Sequence, residues 1–197
     1  MCWNKETEDR RFGSIERTDL ALNSRTNFEN RLKRLARNIE ALAEKDQDHM
    51  RRAREVAQLR RAASAELHAA CLDFVSAVNR LLSHGEISLD PPEFSPAMFR
   101  DGSRNLVQMN VRGRILQVQY ESTPQLISTE DFRIPYILEG SVRAFNQELL
   151  EKDLIEEQLI FYTLEKPRNL WRFFDGRTYR SGPFGQEYLV SLMEQLI

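Results

Sequence analysis

The chain has 197 residues, of which 41% are hydrophobic and 29% are charged, and its net charge is -2. This composition is typical of a folded protein and excludes a fully disordered chain. The charge is unevenly distributed: the residues up to Arg61 contain 15 Lys and Arg against 11 Asp and Glu, whereas the remaining residues contain 13 against 19. We therefore expect a basic N-terminal region followed by an acidic domain.

The cysteines and the hydropathy pattern bear on the cellular compartment. Cys2 and Cys71 are too few and too far apart for a disulfide framework or a zinc site. The chain starts with charged residues rather than with an apolar signal segment, and it has no run of about 18 apolar residues that would cross a bilayer. The sequence thus predicts a soluble cytoplasmic protein with no transmembrane segment, and it indicates neither a cofactor nor a metal.

A long helix is the strongest structural signal. Residues 1–25 are polar and are predicted to form an arm, either loosely held or a short helix. Between Gly13 and Gly85, 71 residues contain neither Gly nor Pro, the two residues that most readily end helices. Thr26 and Glu29 have the spacing of a capping box, which predicts the helix start. Gly85 is the expected stop.

An apolar stripe runs along the first part of this helix. Its residues recur at alternating steps of four and three, which places them on one face; they are Phe28, Leu32, Leu35, Ile39 and Leu42. A helix over 26–84 would be roughly 90 Å long, more than a small domain can cover. Two arrangements remain, a coiled coil between chains or a fold-back near residues 45–48. The absence of Gly, Pro and Asn there favours the coiled coil, and hence a homo-oligomer such as a dimer.

The helix also contains the expected domain boundary. Residues 26–61 form a basic helical arm, whereas the segment from Ala62 to Leu82 is apolar over a broad surface and is expected to pack on the domain body. The α+β domain over 62–197 is predicted to contain a helix over 62–84, a connector over 86–105, a β-meander over 106–180 and a helix over 186–197.

Alternating apolar and polar residues predict the first strands of the meander. The segments 107–111 and 116–120 alternate on either side of Arg112-Gly113, which indicates a hairpin. A third strand is expected between Tyr136 and Phe145. A fourth is expected over 159–164, where apolar residues on both faces predict a central, covered strand.

The rest of the chain completes the predicted fold. Residues 147–157 are compatible with either strand-turn-strand or a helical turn, and the first is favoured. Asp175-Gly176 indicates a further hairpin, since this pair suits the positive-φ positions of a tight turn. A last amphipathic helix follows. The predicted fold is therefore α+β, with a long N-terminal helix, an antiparallel meander of about five to six strands and a C-terminal helix packed on the sheet.

No catalytic constellation emerges from the sequence. His68 and Cys71 share a helix face, but two ligands without a second pair are weak support for a metal site. The carboxylate pairs at 130–131 and 156–157 are adjacent in sequence, and adjacent strand residues point to opposite faces. No nucleophile elbow or phosphate-binding loop is present. The sequence predicts no catalytic or metal-binding residue and weighs against an enzyme.

Two groups of residues are candidates for binding. The helix from Arg31 to Arg61 has ten Lys and Arg against five acids, and its arginine clusters are candidate contacts for phosphates or other anions: Arg51, Arg52, Arg54, Arg60 and Arg61. A polar, arginine-bearing sheet surface is a candidate for binding a peptide or ligand: Arg112, Arg114, Gln117, Gln119, Arg172, Arg177 and Arg180.

Three functional hypotheses follow. The leading hypothesis is a non-enzymatic interaction or scaffold protein that oligomerises through the helical arm and presents a sheet surface to a protein partner. The second is a nucleic-acid-associated protein that binds phosphates through the arginine-rich helix. The third is a small enzyme or ligand-binding domain with its site on the sheet.

Overall fold

A computed structural model describes the backbone of residues 9–146 and 151–197 and the side chains of residues 27–145 and 157–197. The chain divides into two compact units, Met1–Ala53 and Arg54–Ile197. The first unit is helical where it is described, and the second combines helices with one antiparallel sheet. The predicted α+β class is confirmed.

Helix α1 spans Asp9–Asn79 and provides the described part of the first unit. The helix begins at Asp9 and not at the predicted start, Thr26. It continues through Gly13, because one glycine costs a helix only about 1 kcal/mol. The described part of the polar arm over 1–25 is therefore helical. The predicted alternative of a fold-back is also wrong, since residues 45–48 are helical.

The sheet of the second unit has seven strands in sequence order, all antiparallel to their neighbours. The strands are β1 Ser88–Asp90, β2 Asn105–Val111, β3 Arg114–Ile127, β4 Tyr136–Asn146, β5 Glu151–Thr163, β6 Leu170–Asp175 and β7 Arg180–Pro183. The predicted meander is confirmed, but with seven strands rather than five to six. The connector predicted over 86–105 contains β1, which is short and pairs with β2.

Two predicted hairpins are present, with different turn chemistry. Arg112 and Gly113 join β2 to β3 with φ values of 50° and 84°, as a tight turn between twisted strands requires. In the turn after Asp175 the left-handed residue is Tyr179, with φ 53°, and not Gly176 as predicted. The Asp175 carboxylate accepts hydrogen bonds from the Arg177 amide and the Thr178 hydroxyl, and these bonds hold a longer turn.

The end of α1 also differs from the prediction. The helix stops at Asn79 rather than at Gly85. The Asn79 side chain accepts a hydrogen bond of 2.8 Å from the Ile87 amide and donates one of 2.9 Å to the Ile87 carbonyl. This pair of bonds ties the returning chain to the end of the helix, so that it leads directly into β1. Gly85, with φ 103°, lies within the connecting loop.

The segment 147–157 is largely extended. Residues 151–157 belong to β5, which confirms the strand interpretation for them. The turn expected before them, at 147–150, lies outside the described residues.

The main core lies between the inner face of the sheet and two helices, the second half of α1 and α2 (Gln186–Leu196). Helix α2 packs on the sheet as predicted: the Phe173 and Tyr188 rings stack 4.2 Å apart. Strand β5 is central, between β4 and β6. Its Ile160 and Tyr162 belong to the main core, whereas Phe161 points to the outer face and belongs to a second cluster. The prediction of a strand covered on both faces is therefore confirmed at these positions.

Buried polar contacts lock the second half of α1 onto the rest of its unit. The Trp171 indole donates a 2.7 Å hydrogen bond to the Ala63 carbonyl. One turn further, the buried His68 lies with Nε2 at 2.8 Å from the Pro91 carbonyl. These contacts fix which face of α1 packs inward, because buried polar groups require hydrogen-bond partners.

Candidate binding site on the outer sheet face

The outer face of the sheet carries a concavity of about 430 Å³. It lies over β3, β4, β5 and β6 and is bounded by the loop residues 128–135. Its lining consists of Gln119, Tyr120, Glu121, Thr129, Asp131, Phe132, Tyr136, Glu139, Gly140, Ser141, Glu157, Leu159, Phe161 and Phe174. The size falls within the range of about 300–1,000 Å³ that is usual for ligand pockets.

Four aromatic rings form the base of this concavity. Phe161 lies 4.5 Å from both Phe132 and Tyr136, measured between ring centroids, and Phe132 lies 5.7 Å from Phe174. These four residues are each less than 7% exposed and form a second hydrophobic cluster, separate from the main core. The loop that carries Phe132 is thereby anchored on the sheet.

The loop is also held by its own hydrogen bonds. The Thr129 hydroxyl accepts a 3.0 Å bond from the Phe132 amide, and the Thr129 amide donates a 2.9 Å bond to the Phe132 carbonyl. This reciprocal pair closes a tight turn. It fixes Phe132 over Phe161 and places Asp131 at the wall of the concavity.

Gly140 allows β3 and β4 to approach closely at the centre of the site. A Cβ atom at this position would lie 2.1 Å from the Gln119 carbonyl oxygen and 2.7 Å from the Tyr120 Cβ. No side chain fits at these distances. The requirement for glycine here comes from this close approach rather than from a positive φ.

The lining is acidic. It contains four carboxylates, Glu121, Asp131, Glu139 and Glu157, and the described lining includes no Lys, Arg or His. The pKa of the Tyr136 hydroxyl is raised, first by burial and then by the charge of the neighbouring Glu139 carboxylate. The concavity thus has an excess of negative charge beside apolar rings.

Two arginines outside the lining offset part of this charge. Arg143 donates a 2.8 Å hydrogen bond to Glu157, and this bond, together with one from Ser141, lowers the pKa of Glu157 below 4.5. Arg104 lies 3.9 Å from Glu121. Among the described residues, no ion pair involves Asp131 or Glu139.

The candidate sheet-face residues on β3 are divided between two faces. Gln119 lines the concavity, and Gln117 lies two residues before it on the same face, opposite Arg143. Arg114 lies two residues before the buried Leu116 and is therefore on the opposite face of β3. Arg112 lies in the turn between β2 and β3. The four residues therefore do not share one face of the sheet.

The remaining arginines of that group have separate neighbours. Arg172 lies opposite Phe161 across β5 and β6 and makes a bidentate contact with Glu165, at 2.6 and 3.0 Å. Arg177 and Arg180 lie around the Asp175 turn. Arg177 Nε is 3.9 Å from the Asp175 carboxylate, and Arg180 lies opposite Asp175 in the register of β6 and β7. None of the three lines the concavity.

The helix arginines also differ among themselves. Arg52, Arg54 and Arg61 are exposed, and Arg51 is an exposed residue that pairs with Asp48 at 3.0 Å. Arg60, a residue of the second unit, packs within that unit: its side chain is only 13% exposed, pairs with Asp101 at 3.1 Å and donates to the Thr123 carbonyl. Arg60 therefore has a structural role, which leaves four arginines as candidate anion contacts.

The His68–Cys71 pair and the carboxylate pairs are also accounted for. Burial raises the pKa of the Cys71 thiol to about 12. In the described part of the chain, no group of three or more His, Cys, Asp and Glu side chains is arranged to hold a metal ion. Of the adjacent acids, Asp131 and Glu157 line the concavity, Glu130 is exposed, and the Glu156 side chain lies outside the described residues.

Sequence reasoning missed the aromatic cluster and with it the concavity. The available signal was the pair Phe161 and Phe174, which occupy outward positions of two adjacent strands and require a cover. The cover, Phe132, comes from a loop whose sequence has no strand or helix pattern. Its position is set by tertiary packing alone.

Comparison with family models, with curated proteins and with solved structures gives no match to this chain. Within the described residues, neither helix is both long enough and apolar enough to cross a membrane.

Proposed function

We propose that this is a non-enzymatic interaction protein, located in the cytoplasm, that self-associates through the first part of α1 and presents the outer sheet face to a protein partner. One observation supports the first half of the proposal above all. The stripe residues are strongly exposed: Phe28 60%, Leu32 48%, Leu35 55%, Ile39 58% and Leu42 58%.

A helix with this stripe requires a partner to be stable. Most helical stability in proteins comes from packing of an apolar face rather than from intrinsic propensity. The 4-3 spacing is the coiled-coil repeat, with Leu32 and Ile39 at one core position and Phe28, Leu35 and Leu42 at the other. A second copy of the chain supplies the same stripe, so the two stripes bury each other.

The second half of the proposal rests on the concavity. It is preformed, because the Thr129–Phe132 turn, the aromatic cluster and the close approach at Gly140 fix its walls. An apolar base with polar groups at the wall is the usual composition of a binding site. The engagement of Arg60 with Asp101 argues for this proposal over phosphate binding by the helix.

Light scattering on the purified chain and two variants tests self-association. The unmodified protein is expected to have a mass of at least twice the single-chain mass of 23.1 kDa. Leu35→Glu/Leu42→Glu places charge in the stripe and is expected to give the single-chain mass. Asn30→Glu/Ala41→Glu adds the same charge on the other side of the helix and is expected to retain the assembly.

Two results would contradict the proposal. One is a single-chain mass for the unmodified protein at all concentrations. The other is an equal loss of mass in both variants, which would mean that added charge rather than the stripe governs the assembly.

A gel shift with duplex DNA at low salt tests the nucleic-acid hypothesis. Salt-sensitive binding that is lost when Arg51, Arg52, Arg54 and Arg61 are changed to Gln would favour that hypothesis instead.

A further inference from the structure

We propose that the concavity on the outer sheet face binds an arginine or lysine side chain of the partner polypeptide. This inference rests on the proposed function and deepens it by naming the chemistry of the partner. It is carried by three features of the site together: its charge, its apolar base and its preformed walls.

Charge complementarity determines the sign of the charge that the ligand carries. Of the four lining carboxylates, Glu157 and Glu121 have arginine neighbours at 2.8 and 3.9 Å, whereas Asp131 and Glu139 have no ion pair among the described residues. A partner that closes the concavity desolvates these carboxylates, which is costly unless it supplies a positive charge. An anionic or neutral side chain supplies none.

The apolar base decides the shape of the ligand. Leu159 lines the concavity and is 39% exposed, and it lies two residues before Phe161 on the same face of β5. Arginine and lysine have a long aliphatic stem that packs on such a surface while the charged end reaches polar groups. Arginine in addition matches carboxylates with its planar fork of donors.

The hydrogen-bonding groups of the wall fit the same ligand. Gln119 and Ser141 lie side by side on β3 and β4, and their side chains offer acceptors next to the carboxylates. A partner segment thus meets acceptors around an apolar base, which suits a multi-donor cation.

Titration with blocked five-residue peptides tests the inference. The central residue is arginine, lysine, citrulline or glutamate, with a leucine on either side, and binding is followed by calorimetry at low salt. The arginine and lysine peptides are expected to bind. The citrulline peptide, which keeps the shape of arginine but not its charge, is expected to bind with an affinity at least about tenfold lower. Free arginine amide is expected to bind more weakly than the arginine peptide.

Matched variants locate the binding. Asp131→Asn/Glu139→Gln neutralises the two carboxylates for which the described residues supply no ion pair, and it is expected to weaken binding of the arginine peptide about tenfold. Glu93→Gln/Glu194→Gln removes the same charge from exposed positions elsewhere and is expected to leave the affinity unchanged. Equal binding of arginine and citrulline peptides, no binding of the arginine peptide, or equal loss in both variants would overturn the inference.

The stripe variant separates this inference from self-association. Leu35→Glu/Leu42→Glu is expected to lose the assembly and to keep the peptide affinity. If the unmodified protein is a single chain in solution and still prefers the arginine over the citrulline peptide, self-association alone is refuted. If the unmodified protein assembles but lacks that preference, the present inference alone is refuted.

Discussion

The hydroxyl groups of Ser64 and Tyr120 lie 2.5 Å apart between helix α1 and strand β3, and both residues are buried. Burial raises the pKa of Tyr120, while its bond to Ser64 opposes that rise. The contact joins the helix to the strand that also forms one side of the outer concavity, since Tyr120 follows Gln119. This hydrogen bond therefore stabilises a strand that contributes both to the main core and to the concavity.

The first prediction concerns this hydrogen bond. Ser64→Ala leaves the Tyr120 hydroxyl buried without its partner, and we expect it to lower the free energy of unfolding by about 1–3 kcal/mol. Ser64→Ala/Tyr120→Phe removes both polar groups and is expected to cost less than Ser64→Ala alone. Urea unfolding of these chains and of Tyr120→Phe completes the double-mutant cycle, and strictly additive losses would show that the two hydroxyls are not coupled.

The second prediction concerns the glycine at the centre of the site. Gly140→Ala places a methyl group 2.1 Å from the Gln119 carbonyl, so β3 and β4 must separate, and we expect a loss of about 3 kcal/mol in the free energy of unfolding. Gly185→Ala is the control, because its added Cβ meets no atom within 4 Å. Its cost should not exceed about 1 kcal/mol. Equal melting temperatures for the two variants would contradict the close approach.

The third prediction is a pH dependence. Hydrogen bonds from Arg172, and then from Thr163, hold the pKa of Glu165 below its ordinary value of 4.5. Because the folded pKa is the lower one, the added stability is fully present above the unfolded pKa and is lost as pH falls through the folded pKa.

Glu165→Gln tests this dependence. At pH 7 we expect it to lower the free energy of unfolding by about 1 kcal/mol, a value that allows for solvent screening of the pair. The difference from the unmodified chain should shrink as the pH falls below about 4. Glu93→Gln, at an exposed position, provides the control. A difference that stays constant from pH 7 to pH 3 would show that Glu165 acts through packing rather than through its charge.

The fourth prediction concerns thiol reactivity. Burial raises the pKa of Cys71 to about 12, so almost no thiolate exists at neutral pH. In a Cys2→Ser background, we expect a disulfide-exchange reagent at pH 8 to leave the folded chain unlabelled and to label it fully in urea. Rapid labelling of the folded chain would mean that this part of α1 opens readily.

Much of the sheet could be predicted because its order is local. Each strand pairs with the next along the chain, so alternation within 107–111 and 116–120 and the turn between them determined the hairpin. Strand β1 was missed because three residues are too few to show a period of two. The end of α1 was missed because it depends on the Asn79 side chain meeting Ile87, a contact that residue preferences do not encode.

The candidate site was less predictable because it is assembled by tertiary packing. Phe132, Phe161 and Phe174 come from a loop and two strands, and their meeting follows from the register of β5 and β6 and from the Thr129 turn. Charge counting likewise treated Arg60 as one of a surface cluster, whereas Asp101, from a distant loop, holds it in the second unit.

Amide hydrogen exchange over residues 28–42 tests most directly the central claim, that a second copy of the chain covers the apolar stripe. We predict slow exchange at high protein concentration, faster exchange on dilution, and fast exchange at all concentrations in Leu35→Glu/Leu42→Glu. Asn30→Glu/Ala41→Glu should exchange like the unmodified chain. Exchange over 28–42 that is the same at every concentration and in both variants would contradict self-association through the stripe.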